Sequence, residues 1–374
     1  MSSRNQAGPN ALPVGENGKT LSRRRLLGGV IAGGAAVSAL ATPALAQNRQ
    51  QWTMVTSWAK GSAGPGGSAD RIAAAITAMS GGRLEVLVRG AGELVSPFGV
   101  LDAVADGVAE MGHTASFFWA GSVPSAAFFT TVPFGLTAVD HNAWVRYGGG
   151  QELWTRAYDD YGLLPRLAGN SDMTMAGWSR RALRSVEDLK GLKMRLSGLG
   201  SEVYARMGAA PVGLPPSEIY LALSTGAIDA VEFLGPFSDS AYGFQKAAGH
   251  YYFPGFNKPN GTAEGLINRN AYQSLPADLQ AVVDAAMAAE NDRGLAEAKW
   301  FNAGALAQLR ADGVQIEAMP ADIMTQAEAI AADVLDERAA ADSLMAEVLT
   351  SYREAMDRLG QWTAISAGAY NARG

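Results

Sequence analysis

Residues 189–239 read LKGLKMRLSGLGSEVYARMGAAPVGLPPSEIYLALSTGAIDAVEFLGPFSD. Lys193-Met-Arg195-Leu has the pattern of a short strand with one basic side chain among apolar neighbours. Gly198 and Gly200 break it, and Ser201 is placed to cap a short helix from Glu202 to Met207. Pro211 to Leu214 is a second extended run, and Pro216 opens another helix that Gly226 can stop. Ala230-Val-Glu232-Phe-Leu is a third strand carrying one carboxylate, closed by Gly235-Pro236. Strand, helix, strand, helix, strand predicts a parallel α/β unit, which gathers ligands at its strand ends. Arg195 and Glu232 fall at such ends.

The order of these pieces resembles the solute-binding proteins of tripartite ATP-independent periplasmic (TRAP) transporters. Their run D-L-K-G-(L/M)-K-(M/I)-R corresponds to Asp188–Arg195, their G-A-x-P-V to Gly208–Val212, and their G-x-I-D-(A/G)-x-E to Gly226–Glu232. Similarity extends from about Trp52 to Tyr370. The subgroup it resembles most takes small 2-oxo and 2-hydroxy acids with the help of a bound cation. The resemblance implies a two-domain periplasmic α/β protein of the Venus-flytrap type, with hinge strands and long C-terminal helices. It divides the chain into a signal peptide (1–46), a first domain begun at 47–168 and resumed at 257–315, and a second domain at 169–256. A C-terminal helical segment (316–374), a dimer contact in the subgroup, completes it.

Composition agrees with export. Cysteine is absent, which excludes disulfides and thiolate metal sites, and His113, His141 and His250 lie far apart. Ser22-Arg23-Arg24-Arg25-Leu26-Leu27 matches a twin-arginine signal, and Pro43-Ala44-Leu45-Ala46 matches a cleavage site before Gln47. An uncleaved anchor is the other reading of that run, which its four glycines and Pro43 weaken. Processing removes five basic residues and one acid, taking the net charge from −6 to about −10. Such a charge disfavours nucleic acid and anionic membranes, so an anionic ligand needs a local positive site.

Elsewhere the chain alternates strands and helices. Gln51 to Trp58, Arg83 to Arg89, Phe128 to Phe134 and Ala263 to Asn268 read as strands. Ser68 to Ser80, Pro97 to Asp106, Ala143 to Tyr158, Asp278 to Asp312 and Pro320 to Leu359 read as helices. Trp144, Tyr147 and Trp154 are expected on a domain surface or a subunit contact. Leu163 to Gly177 is read as a strand crossing into the second domain.

Arginine suits a carboxylate because its planar fork offers two parallel hydrogen bonds. The resemblance assigns that role to Arg195; the alternative is a structural arginine paired with Asp188 or Glu187. It also assigns ligand contact to Asn170 and to the position of Phe118, where the subgroup often has a tyrosine. Trp58, Phe118, Phe233 and Phe256 are the expected apolar walls, although a run such as Phe117-Phe118-Trp119 is more often core than pocket. In the subgroup the cation meets a glutamine, the counterpart of Glu232, a backbone carbonyl and a second glutamate. Here those places hold Thr174, Glu232, Phe233 and Lys258. Calcium takes roughly six to eight oxygens, and this set no longer supplies them, so no metal is expected. A residual sodium or calcium site would rest on Glu232 and the Phe233 carbonyl. The hypothesis is that the Lys258 ammonium replaces the cation and bridges Glu232 and ligand; the alternative leaves Lys258 in solvent on the Pro254–Pro259 loop.

The function implied is a receptor that closes on a small organic anion and delivers it to a membrane permease. A periplasmic sensor is a second reading. A secreted α/β hydrolase is a third, against which Leu196-Ser-Gly-Leu-Gly200 lacks the first glycine of a nucleophile elbow.

Overall fold

The computed structural model describes residues 49–373, so the twin-arginine run and its cleavage site lie outside the described residues. Two sheets organise the chain. The first has the order β2-β1-β3-β10-β4, built from β1 (Gln50–Thr56), β2 (Leu84–Arg89), β3 (Met111–Thr114), β4 (Leu163–Asn170) and β10 (Thr262–Asn268). Its β1, β2 and β3 are parallel, while β10 runs antiparallel between β3 and β4. The second has the order β11-β9-β5-β8-β6-β7, with β5 (Gly177–Ser179), β6 (Lys193–Arg195), β7 (Ala210–Val212), β8 (Ala230–Val231), β9 (His250–Phe253) and β11 (Gln315–Ala318). Here β7, β6 and β8 are mutually parallel, as residues 189–239 predict. Gly226 ends the helix Pro216–Thr225 in the left-handed conformation, at φ 79. These are the two domains of an α/β fold.

Three local expectations are corrected. The stretch 128–134 is no strand: Pro124–Phe129 forms a 3-10 helix, because Pro124 at its first turn supplies a helical φ. Trp144 and Trp154 are not surface residues but core, stacked on Phe129 at 5.6 and 5.1 Å; only Tyr147 is exposed. Ser201 lies inside the helix Gly200–Arg206 and does not cap it.

The helix Ala277–Ala311 joins the two halves. Its 35 residues extend for about 50 Å at 1.5 Å per residue. Its first part covers the first sheet through Leu279, Val283 and Met287. Farther along, Leu309 enters the apolar cluster of the second sheet with Trp178 and Phe233. Where it passes β4, Gly294 permits the approach, since a β-carbon there would sit 3.0 Å from the Asn170 nitrogen. The chain then adds β11 to the second sheet. Two 21-residue helices follow, Ala321–Ala341 and Ser343–Thr363, separated at Asp342, whose side chain caps the second.

Candidate functional site

Three buried charges meet where β6 and β8 end. Arg195, the last residue of β6, is 2% exposed. Its Nε donates to the Leu214 carbonyl at 3.1 Å and its Nη1 to the Glu232 carbonyl at 3.0 Å. These bonds fix the guanidinium plane across neighbouring strand ends, and its carbon lies 5.6 Å from the Phe233 ring centre. Among the described residues no acceptor meets Nη2. Burial pushes the Arg195 pKa down to about 10, against the pull of Glu232, so the group remains cationic at neutral pH. The alternative pairing with Asp188 does not form: that carboxylate closes a capping box with Ser185.

Glu232 follows β8 and is fully buried. Lys258 is 2% exposed, which rules out the solvent-facing alternative. Its Nζ donates to the Phe233 carbonyl and lies 2.7 Å from Glu232 Oε1. The ammonium meets Oε1 outside hydrogen-bonding angles, since Oε1 has no hydrogen-bond donor, so the attraction is chiefly charge on charge. Asn257 Nδ2 approaches Oε2 at 3.4 Å. Burial pushes Glu232 up and Lys258 down, and each pulls the other back. Thr174 holds the lysine loop from behind, donating both its backbone N–H and its Oγ1 to the Lys258 carbonyl at 3.1 Å. Arg195, Lys258 and Glu232 together leave the site with one net positive charge.

Trp58 and Phe118 follow strands of the first sheet, whereas Phe233 and Phe256 follow strands of the second. Trp58 Nε1 donates to His113 Nδ1 at 2.9 Å, and His113 Nε2 then donates to the Ala168 carbonyl at 3.0 Å. That pattern requires the neutral Nε2–H tautomer. Burial lowers the His113 pKa to about 4 and keeps it neutral. Phe118 leans on Trp58 at 5.9 Å and on Phe98 at 5.1 Å. Phe256 is stacked between Phe134 and Tyr204.

Asn170 makes its own bonds to neutral groups. Its Nδ2 donates to Asn260 Oδ1 and Thr262 Oγ1, and its Oδ1 accepts from the Asp172 N–H. Those bonds tie the two strands that cross between the sheets. Sequence reasoning does not place Asn257, Phe98 or Phe117 at the site, although the resemblance puts Asn257 where the subgroup has a histidine and Phe117 reads as either core or pocket. Asn257 could have been found from its place beside Lys258; Phe98 and Phe117 could not, because only folding brings them to the site.

A two-sheet α/β fold with a buried, net-positive site at its strand ends defines a binder of small anions. The sequence pattern of the bacterial extracellular solute-binding proteins, family 7, matches residues 55–342, and the chain belongs to that family. It is 38% identical over 320 residues to a monocarboxylate 2-oxoacid-binding periplasmic protein of Nostoc sp., covering 86% of this chain and 88% of that relative. A TRAP periplasmic solute-binding protein of Pseudoalteromonas atlantica, solved with bound sodium and pyruvate, superposes with a TM-score of 0.85. It is 36% identical, over 87% of this chain and 99% of that one. A TRAP solute-binding protein of Bordetella bronchiseptica, a mixed-occupancy dimer with calcium and picolinate in one site, gives the same TM-score at 31% identity, over 87% and 96%. The chain is thus a periplasmic solute-binding protein of the TRAP class, a receptor and not an enzyme.

Proposed function

We propose that this receptor binds a small monocarboxylate, a 2-oxo or 2-hydroxy acid, through a bidentate pair between Arg195 and the ligand carboxylate. The observation that carries the reading is the Arg195 guanidinium. It is fixed by two carbonyls, stripped of water, and has Nη2 free of protein acceptors. One net positive charge in a buried site favours a monoanion over a dianion. Trp58, Phe118 and Phe233 supply the apolar walls, and the Nostoc relative and the pyruvate-bound neighbour bind ligands of this class. Asn170 and Thr174 act behind the site, the first in the hinge and the second on the lysine loop.

The cation held by the solved neighbours does not fit these residues. Lys258 already engages the Glu232 carboxylate and the Phe233 carbonyl, the oxygens on which such an ion would depend. Thr174 turns its hydroxyl to a backbone carbonyl. Among the described residues no three His, Cys, Asp or Glu side chains converge on a metal position. We read the ammonium as the cation's replacement, offering a fixed positive charge to the ligand.

The domain boundaries near 168, 256 and 315, export by the twin-arginine pathway, and dimerisation through the C-terminal helix belong to the same reading. Trp362, Ile365 and Tyr370 on that helix are exposed, as a dimer contact requires. The test is calorimetry of the mature chain with pyruvate, lactate and dicarboxylates. Saturable binding of a monocarboxylate that Arg195→Ala abolishes is expected. Tighter binding of a dicarboxylate, or binding indifferent to Arg195, refutes the assignment.

A further inference from the structure

The strand that carries Arg195 leads into a close contact with the first sheet. Gly198 has φ +70, and a β-carbon built there would lie 3.2 Å from Phe117 Cβ. Phe117 belongs to the turn Ser116–Trp119, which follows β3. The face of its ring lies 5.5 Å from the Lys258 ammonium. Leu199, next to Gly198, is 4% exposed and sits in the apolar cluster that holds Phe117, Trp58 and Trp119. One first-sheet ring therefore touches the backbone three residues beyond Arg195 and faces the other cation of the site.

We propose that Phe117 is the closing contact of the receptor, a positioning residue that meets Gly198 and Lys258 only when the two domains are shut. The proposal rests on reading Arg195 and Lys258 as the anion's grip. Separating the sheets draws the Gly198 backbone off the ring, wets Leu199 and, because Glu232 and the Phe233 carbonyl hold Lys258 to the second sheet although it lies past the boundary expected at 256, removes a cation from an aromatic face. Each of these contacts exists in one state and not in the other. Such differences are what a ligand needs in order to shift an equilibrium between open and shut forms. Glycine at 198 serves two ends: it accepts the left-handed backbone, and without a β-carbon it lets the chain come down on Phe117. The loop 196–199 thereby links the residue that holds the carboxylate to the residue that registers closure.

The absence of native cysteine makes a direct test available. Phe117→Cys combined with Gly198→Cys introduces one thiol pair, and their β-carbons are close to the roughly 3.5–4.5 Å of a disulfide. Mild oxidation of the mature chain is expected to form that disulfide. The reduced protein, which lacks the Phe117 ring, should bind pyruvate about tenfold more weakly than the wild type, the oxidised protein should refuse it, and oxidation should lower the radius of gyration measured by small-angle scattering without ligand. Failure to crosslink overturns the proposal, as does a crosslink that changes neither pyruvate uptake nor the radius. Should the wild type ignore pyruvate while oxidation still compacts the double variant, the ligand assignment falls and the closing contact stands. A second variant, Gly198→Ala, pushes a methyl against Phe117 and is expected to weaken ligand binding roughly tenfold. Binding equal to that of a wild type that does bind pyruvate counts against the contact.

Discussion

Glu232 and Glu264 are both fully buried carboxylates at strand ends or within strands, yet their surroundings are opposite. Glu232 faces two cations: Lys258 at 2.7 Å and, through space, Arg195. Glu264, in β10, has no cation; Trp119 Nε1 and Trp154 Nε1 each donate to it at 3.0 Å. Burial with only neutral donors raises the Glu264 pKa to about 7. The first carboxylate belongs to a site arranged to meet charge, and the second is a structural acid beneath the aromatic core. Burial alone does not distinguish function from structure; the charge of the partners does.

The largest effect that would sharpen this contrast is at the site's anchor. Arg195→Ala should cost at least about 30-fold in ligand affinity, because removing one member of a buried charged pair costs about 2–5 kcal/mol. Titration calorimetry measures it, and a loss under tenfold would place the carboxylate elsewhere. Next comes Lys258→Met, which strands Glu232 without its neighbour. Stability should fall by about 3–5 kcal/mol. The stranded carboxyl then has a folded pKa above its unfolded value, so the variant should regain stability on acidification. Adding Glu232→Gln should restore much of the loss at neutral pH; a cycle with no coupling would show that the pair is incidental.

Glu264 supplies a pH prediction of the same sign in the unaltered protein. Its folded pKa, about 7, exceeds the ordinary 4.5, so its contribution is full below 4.5 and is lost as pH rises through 7. Asp239, buried under Trp178, Tyr251 and the Leu234 N–H, behaves in the same way, also at about 7. His113 and His141, both lowered to about 4, lose their contribution as pH falls from 6.5 through 4. The two effects offset each other between about 4.5 and 6.5. Denaturant midpoints should therefore be flat in that window and decline from pH 6 to 8. Glu264→Gln should flatten part of the decline.

Asn170→Ala should lower stability by about 1–3 kcal/mol through the lost hinge bonds, with affinity changed less than tenfold. A larger affinity loss would return Asn170 to the ligand. The smallest expected effect is none at all: chelator-treated protein should bind as before. Recovery of lost affinity on adding sodium or calcium would remove Lys258 from the cation's role.

Much of this was legible beforehand. The parallel unit of β6, β7 and β8 follows from the spacing of Gly198, Pro216 and Gly226, which set local backbone geometry. Other features were not. Trp154 looks like a surface residue in a short amphipathic stretch, and only the stack on Phe129 makes it core. Equally, Phe117 differs from Phe118 in nothing the sequence displays, yet only Phe117 meets Gly198 and faces the Lys258 ammonium, while Phe118 leans on Trp58 and Phe98.

By itself the sequence determined the two-domain α/β class, the arginine at a strand end, and the threonine and lysine that stand where the subgroup it resembles has a glutamine and a glutamate. These depend on residue type and short spacing. Tertiary structure alone decided that the Lys258 ammonium reaches Glu232, because residues 26 apart meet only when β8 and the loop after β9 are packed side by side. An ion pair out of water needs both charges brought together at the moment both are buried, and no local property of the chain specifies that meeting.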